Sequence, residues 1–211
     1  MSGFLDLLSS PMGKQLISGV AGQTGQSTDQ TGSVLSMALP LLMGAMKKNT
    51  ATPEGAQGLM NALSGSKHDG SLLDNLGGLF SGGVDQSVMD DGAGILGHVL
   101  GGKQSQVENA LSSKSGMDAG TIATILKVAA PLLMGYLGKQ KQQQNVSDAN
   151  GLGSMLGGLM GGSDGGQKQQ SLIESFLDSD GDGSILDDVA AMALGGKKGG
   201  IGGLLGGLFG K

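Results

Sequence analysis

Apolar residues fall at helical spacing in a series of short segments separated by glycine-rich breaks. Phe4-Leu5-x-x-Leu8 forms an amphipathic turn ending near Pro11. Leu16, Ile17 and Val20 then mark a helix from Met12 to about Ala21, broken by Gly22–Gly25. A longer apolar run, Val34 to Met46, follows, with Asp29 expected as N-cap and Thr28 or Thr31 as alternatives. Lys47 and Lys48 suit its negative end. Pro40 lies inside it and predicts a kink or break at Ala38–Leu39, because proline removes one backbone hydrogen bond. Thr52-Pro53 predicts another helix start, with Leu59, Met60 and Leu63 on its apolar face. Leu72, Leu73, Leu76 and Leu79 outline a shorter helix, and Val84–Asp90 one further turn.

From Ile95 the pattern begins again. A shift of 91 residues sets positions 4–48 against 95–139 without a gap. Gln15 meets Gln106, Gly25 meets Gly116, Leu35 meets Leu126, and Pro40–Gly44 meets Pro131–Gly135, both Pro-Leu-Leu-Met-Gly. About eleven of roughly forty-five positions are identical, more than shared composition explains. Ala56-x-Gly58-Leu59 resembles Ala149-x-Gly151-Leu152 at a slightly different offset. The expected organisation is two copies of one helical unit, at about 1–83 and 92–163. A helix–acidic loop–helix follows at 171–194, and a low-complexity Gly/Leu tail at 195–211.

Composition supports an all-α reading. The chain has 211 residues, of which 43 are glycine, about three times the average usage of roughly 7%. With one Tyr, four Phe and no Trp, the core must be built from Leu, Met, Ala, Ile and Val. Small aliphatic cores suit close helix packing better than sheets. The apolar run around Pro40 is shorter than the roughly 20 residues of a membrane span, and its second copy contains Lys127. A buried, bent core helix is therefore expected in both places.

Charge narrows the function classes. The formal net charge is −5 and all thirteen basic residues are lysine, which argues against nucleic-acid binding, where guanidinium groups dominate. There is no cysteine, hence no disulfide and no thiolate chemistry. The opening residues lack a basic region and Asp6 interrupts their apolar run, so no signal peptide is read and a cytoplasmic location is expected.

One constellation carries chemistry: Asp178-Ser-Asp180-Gly-Asp182-Gly-Ser184-Ile-Leu-Asp187-Asp188. Oxygen ligands at alternate positions followed by glycine at the sharp turn are what a calcium loop needs to wrap a hard cation. Asp178, Asp180 and Asp182 would supply side chains and Ser184 its carbonyl. The twelfth position, where a bidentate Glu is expected, is Val189, so Asp187 or Asp188 would close a shortened loop and weak Ca²⁺ binding is expected. The alternative is an acidic turn in which Asp182 or Ser184 merely caps the next helix. His98 is expected to be half-buried on a helix, and His68, beside Asp69, to be solvated. Gly151-Leu-Gly-Ser-Met-Leu-Gly157 imitates a dinucleotide fingerprint but no strand precedes it.

Four stretches resemble the YidB-like bacterial family, domain of unknown function 937. They are Gly3-Phe-Leu-Asp-Leu-Leu8, the Leu39-Pro40 helix with its Thr-Pro-Glu-Gly loop, Gly94-Ile-Leu-Gly-His-Val-Leu-Gly-Gly-Lys103, and the Asp-Gly-Asp-Gly-Ser loop. The resemblance implies a small homeodomain-like helical bundle from a bacterium and no assigned activity. The expected function is that of a non-enzymatic interaction or scaffold protein with an unidentified protein partner. The alternative is a peripheral membrane protein that makes contact through the Gly/Leu tail.

Overall fold

A computed structural model describes residues 8–161, all of which belong to one compact unit. The fold is all-helical among the described residues. Helices α1 (Pro11–Thr24), α2 (Thr28–Asn49) and α3 (Pro53–Ser64) come first. A 3₁₀ turn (Ser66–His68) leads to two short helices, α4 (Ser71–Asp74) and α5 (Leu76–Ser81). Then come α6 (Gln86–Leu100), a second 3₁₀ turn (Gly101–Lys103), α7 (Gln104–Ser115), α8 (Ala119–Gln143) and α9 (Ala149–Gly161).

Local chemistry explains most boundaries. Ser10 caps α1, its hydroxyl accepting from the Gly13 N–H at 3.1 Å, with Pro11 at the first helical position. Gly25 ends that helix at φ +66°, a left-handed cap that residues with a Cβ rarely adopt. The cap of α2 is Ser27 rather than Asp29: its backbone is extended and its hydroxyl accepts from the Gln30 N–H at 3.2 Å. Asp29 instead sits in the first turn, where a carboxylate favours the positive helix end. Thr52 and Pro53 open α3 as the sequence predicts. The predicted helix through Leu72–Leu79 is two pieces, because Asn75 takes a non-helical φ of −124° and ψ of 37°.

Matching positions in the two halves behave alike. Gly25 and Gly116 are both left-handed C-caps. Ser27 and Asp118, in the same register, are both N-caps. Leu16 and Val107, Val20 and Leu111, Val34 and Ile125, Leu41 and Leu132, and Met43 and Met134 are buried in each pair. Contacts are reciprocal as well: α1 packs on α2 and α8, while α7 packs on α8 and α2. Helix α3 packs on α8, as α9 does on α2. The helices of the two halves are thus interlocked in one core.

Helix α8 is the centre of that core, packed by α1, α2, α3, α4, α6, α7 and the first 3₁₀ turn. By length and mean hydropathy (1.5) it could cross a membrane, yet 67% of that stretch is buried within the protein. A helix apolar on every side is what a bundle centre requires.

Neither proline breaks its helix. Both α2 and α8 run through without interruption, so of the kink or break predicted at Ala38–Leu39 the break does not occur. In α8 the neighbour explains how. Pro131 has no N–H, so the carbonyl of Lys127, one turn earlier, loses its helical partner. Gly92 of α6 lies directly over that carbonyl: a Cβ added to Gly92 would be 1.8 Å from the Lys127 oxygen. The bare Cα–H can approach as a weak donor and shields the carbonyl from water. Proline and glycine, both poor helix residues, together permit a close approach of α6 to the α8 backbone.

Candidate functional site

Between α3 and α6, which make little direct contact, an open groove offers about 710 Å³. Its α3 wall carries Gly58, Leu59 and Ala62, its α6 wall Gly94, Ile95 and Val99, and Met134 of α8 forms the floor. Lys67, Ser87, Asp90, Asp91 and His98 add the polar rim. This volume is within the roughly 300–1,000 Å³ of ligand pockets. The cavity under α1, bounded by Met12, Leu16, Leu39 and Tyr136, has only about 20 Å³, room for little more than a water molecule. Burial pushes the Tyr136 hydroxyl above its ordinary value.

His98 and His68 take positions opposite to those expected. His98 is exposed on the groove rim, with its carbonyl accepting from Asn49 Nδ2 at 3.4 Å. His68 is 6% exposed. Its Nδ1 is 3.1 Å from the Ala62 carbonyl and its Nε2 is 2.9 Å from Asp91 Oδ2. Lys67 Nζ stands 3.9 Å from the other Asp91 oxygen. Two of these partners, Ala62 and Asp91, belong to opposite groove walls. The reversal has a tertiary cause. Gly138 of α8 is so close to the His68 carbonyl that an added Cβ would sit 1.9 Å from it, and this draws the 3₁₀ turn down into the bundle. The local sequence, a histidine beside Asp69, carries no signal of a partner 23 residues away.

Other charged features are peripheral. Lys103 is held below its ordinary value, first by partial burial and then by the charge of Lys48. Asp69, which accepts from the Ser71 N–H at 2.9 Å, is held below the usual carboxylate range by that bond. The Gly151–Gly157 stretch lies inside α9 and is preceded by a helix, not a strand, so it does not form a dinucleotide cradle. Among the described residues no three His, Cys, Asp or Glu side chains converge as metal ligands. Asp178, Asp180, Asp182, Ser184, Asp187 and Asp188, and the tail from 195 to 211, lie outside the described residues.

A family profile described as "Bacterial protein of unknown function (DUF937)" matches residues 6–140, more than half of the chain. The chain belongs to this family. The match ends within α8, so it spans both proline-containing helices, the groove-lining segments of α3 and α6, and the His68–Asp91 pair. The groove of this DUF937 protein therefore lies almost wholly within its family region. No curated protein and no solved structure matches the chain.

Proposed function

We propose that this protein is a non-enzymatic bacterial interaction protein whose α3–α6 groove receives an apolar helical segment of a partner protein. The groove's shape and chemistry carry the reading. Ala62, Ile95 and Val99 present apolar surface at an open cleft, over the buried side chains of Leu59 and Met134. Gly94 on its α6 wall leaves room for a backbone to come close. The core already uses this device, since Gly92 lets α6 lie against α8. A Cβ added to Gly94 meets nothing within 4 Å, so the groove can be filled without disturbing the fold. A photo-crosslinking residue at Gly94 should capture an apolar, helix-forming segment, and Gly94→Arg should abolish binding of that partner while leaving thermal stability near wild type. Equal capture from the distant α1 position Gln15 would refute the reading.

Two further parts of the proposal rest on other observations. The chain is a duplication of one helical unit, at about 1–83 and 92–163. Support comes from paired caps, paired prolines, shared buried positions and reciprocal contacts. The acidic loop binds Ca²⁺ weakly through Asp178, Asp180, Asp182 and Ser184, closed by Asp187 or Asp188. Its support is the alternation of oxygen ligands with glycine at the turn. Calorimetric titration of calcium into wild type and Asp178→Ala/Asp182→Ala tests it; absence of heat with wild type would remove the claim.

A further inference from the structure

We propose that His68 is a proton-dependent strut between the groove walls, an imidazolium whose loss of a proton frees α3 from α6. Only the consequence for a bound partner rests on the docking reading above; the strut is a property of the fold itself.

Hydrogen-bond capacity carries the inference. The Ala62 carbonyl and an ionised Asp91 carboxylate can only accept. His68 faces one with each ring nitrogen, at 3.1 and 2.9 Å. Both contacts are hydrogen bonds only when the ring carries two protons. A neutral ring has a single N–H, so one of its nitrogens would set a lone pair against an oxygen lone pair. His68 is too buried for water to separate them, and an unpaired buried polar contact of this kind is unfavourable. The proton belongs on the ring rather than on Asp91, because Lys67 Nζ stands 3.9 Å from that carboxylate.

The charged groups around the turn do not replace this arrangement. On α6, Asp90 is engaged by Gln86 Nε2 at 2.8 Å. On the turn itself Lys67 is mostly exposed, and the neighbouring Asp69 accepts from the Ser71 N–H. Asp74 of α4 pairs with Lys139 of α8 at 2.8 Å. Lys141 of α8 donates to Ser64 Oγ at the end of α3. The direct polar bridge between the walls at this end is therefore His68. The bridge is present while the ring holds its second proton and is lost as rising pH removes it.

The chain has two histidines, and His98 lies in the same groove. The experiment therefore uses full-length protein in a His98→Gln background, with NMR of the His68 ring nitrogens and of the Met134 and Ile95 methyl groups. Below the titration both ring nitrogens should carry protons. As pH rises, loss of one should coincide with shifts of both methyl signals as the groove relaxes. In Asp91→Asn the amide can donate to a neutral ring, so the bridge should persist and the methyl shifts should disappear. Two results would overturn the proposal: a ring that titrates while both methyl groups stay still, or methyl shifts that survive in Asp91→Asn. No partner is required for this readout, so a strut that passes with a groove that captures nothing would reject docking alone.

Discussion

The contact between α6 and α8 can be tested with a single methyl group. In Gly92→Ala the new Cβ would stand 1.8 Å from the Lys127 oxygen and 2.7 Å from its carbonyl carbon. Unstrained non-bonded carbon contacts are about 3.5–4.0 Å, so α6 must retreat by roughly 1.5 Å. The obstacle is helix backbone, which cannot swing aside as a side chain can. Retreat would also loosen the packing between these two helices, on which Leu96, Leu100, Ile125 and Leu126 are all buried. Overpacking of this kind costs about 1–3 kcal/mol, and a backbone obstacle belongs at the upper end. Alanine returns up to about 1 kcal/mol through its better helix propensity. The expected net loss is about 2 kcal/mol, or roughly 4–8 °C in Tm for a domain of this size. Gly94→Ala is the control. It changes the same helix two residues away with nothing within 4 Å, and should gain up to about 1 kcal/mol. Urea and thermal unfolding of both variants decide the matter. A Gly92→Ala protein as stable as wild type, beside a normally behaving Gly94→Ala, would refute the backbone contact and the shielding of the carbonyl freed by Pro131.

Thr31 is fully buried and its hydroxyl has no hydrogen-bond partner among the described residues, so Thr31→Val should be neutral or stabilising by up to about 1 kcal/mol in urea unfolding. Gly25→Ala and Gly22→Ala, three residues apart, should have opposite signs. The first forces a Cβ into a left-handed cap and should cost about 1 kcal/mol, whereas the second meets open space within a helix and should gain about 0.5–1 kcal/mol. Hydrogen bonds from the Thr121 hydroxyl and N–H hold the Asp118 carboxyl below its usual range. A carboxyl depressed on folding adds stability that is complete above its unfolded value, about 3.9, and disappears as pH falls through the folded value. The destabilisation caused by Asp118→Ala should therefore shrink in acid, and a constant difference in Tm from neutral to acidic pH would refute the cap's ionic contribution.

Much of the architecture was legible because it is local. Helical spacing, glycine breaks and the Thr52-Pro53 start all act within a few residues, and an aliphatic, aromatic-poor composition suits helix packing. The cap of α2 was misplaced by two residues because Ser27, Thr28 and Asp29 are all competent cap residues; backbone geometry, not side-chain type, chose Ser27. Pro40 and Pro131 carry a genuine local penalty, yet both helices continue through them. At Pro131 the remedy is supplied by Gly92, on another helix. The calcium-like loop could be proposed from ligand spacing alone, for the same reason that short-range patterns are readable.

By itself, then, the sequence determined the all-helical class and most helix starts, because propensity, capping and periodicity are written within one or two turns. Tertiary structure alone decided which helix lies at the centre, how the other helices pack around it, and which histidine is buried. Those outcomes depend on contacts between residues distant in the chain. His68 and Asp91, 23 positions apart, meet where Gly138 lets the turn that ends in His68 settle onto α8. No local feature of a polar, solvated-looking loop could have announced that meeting.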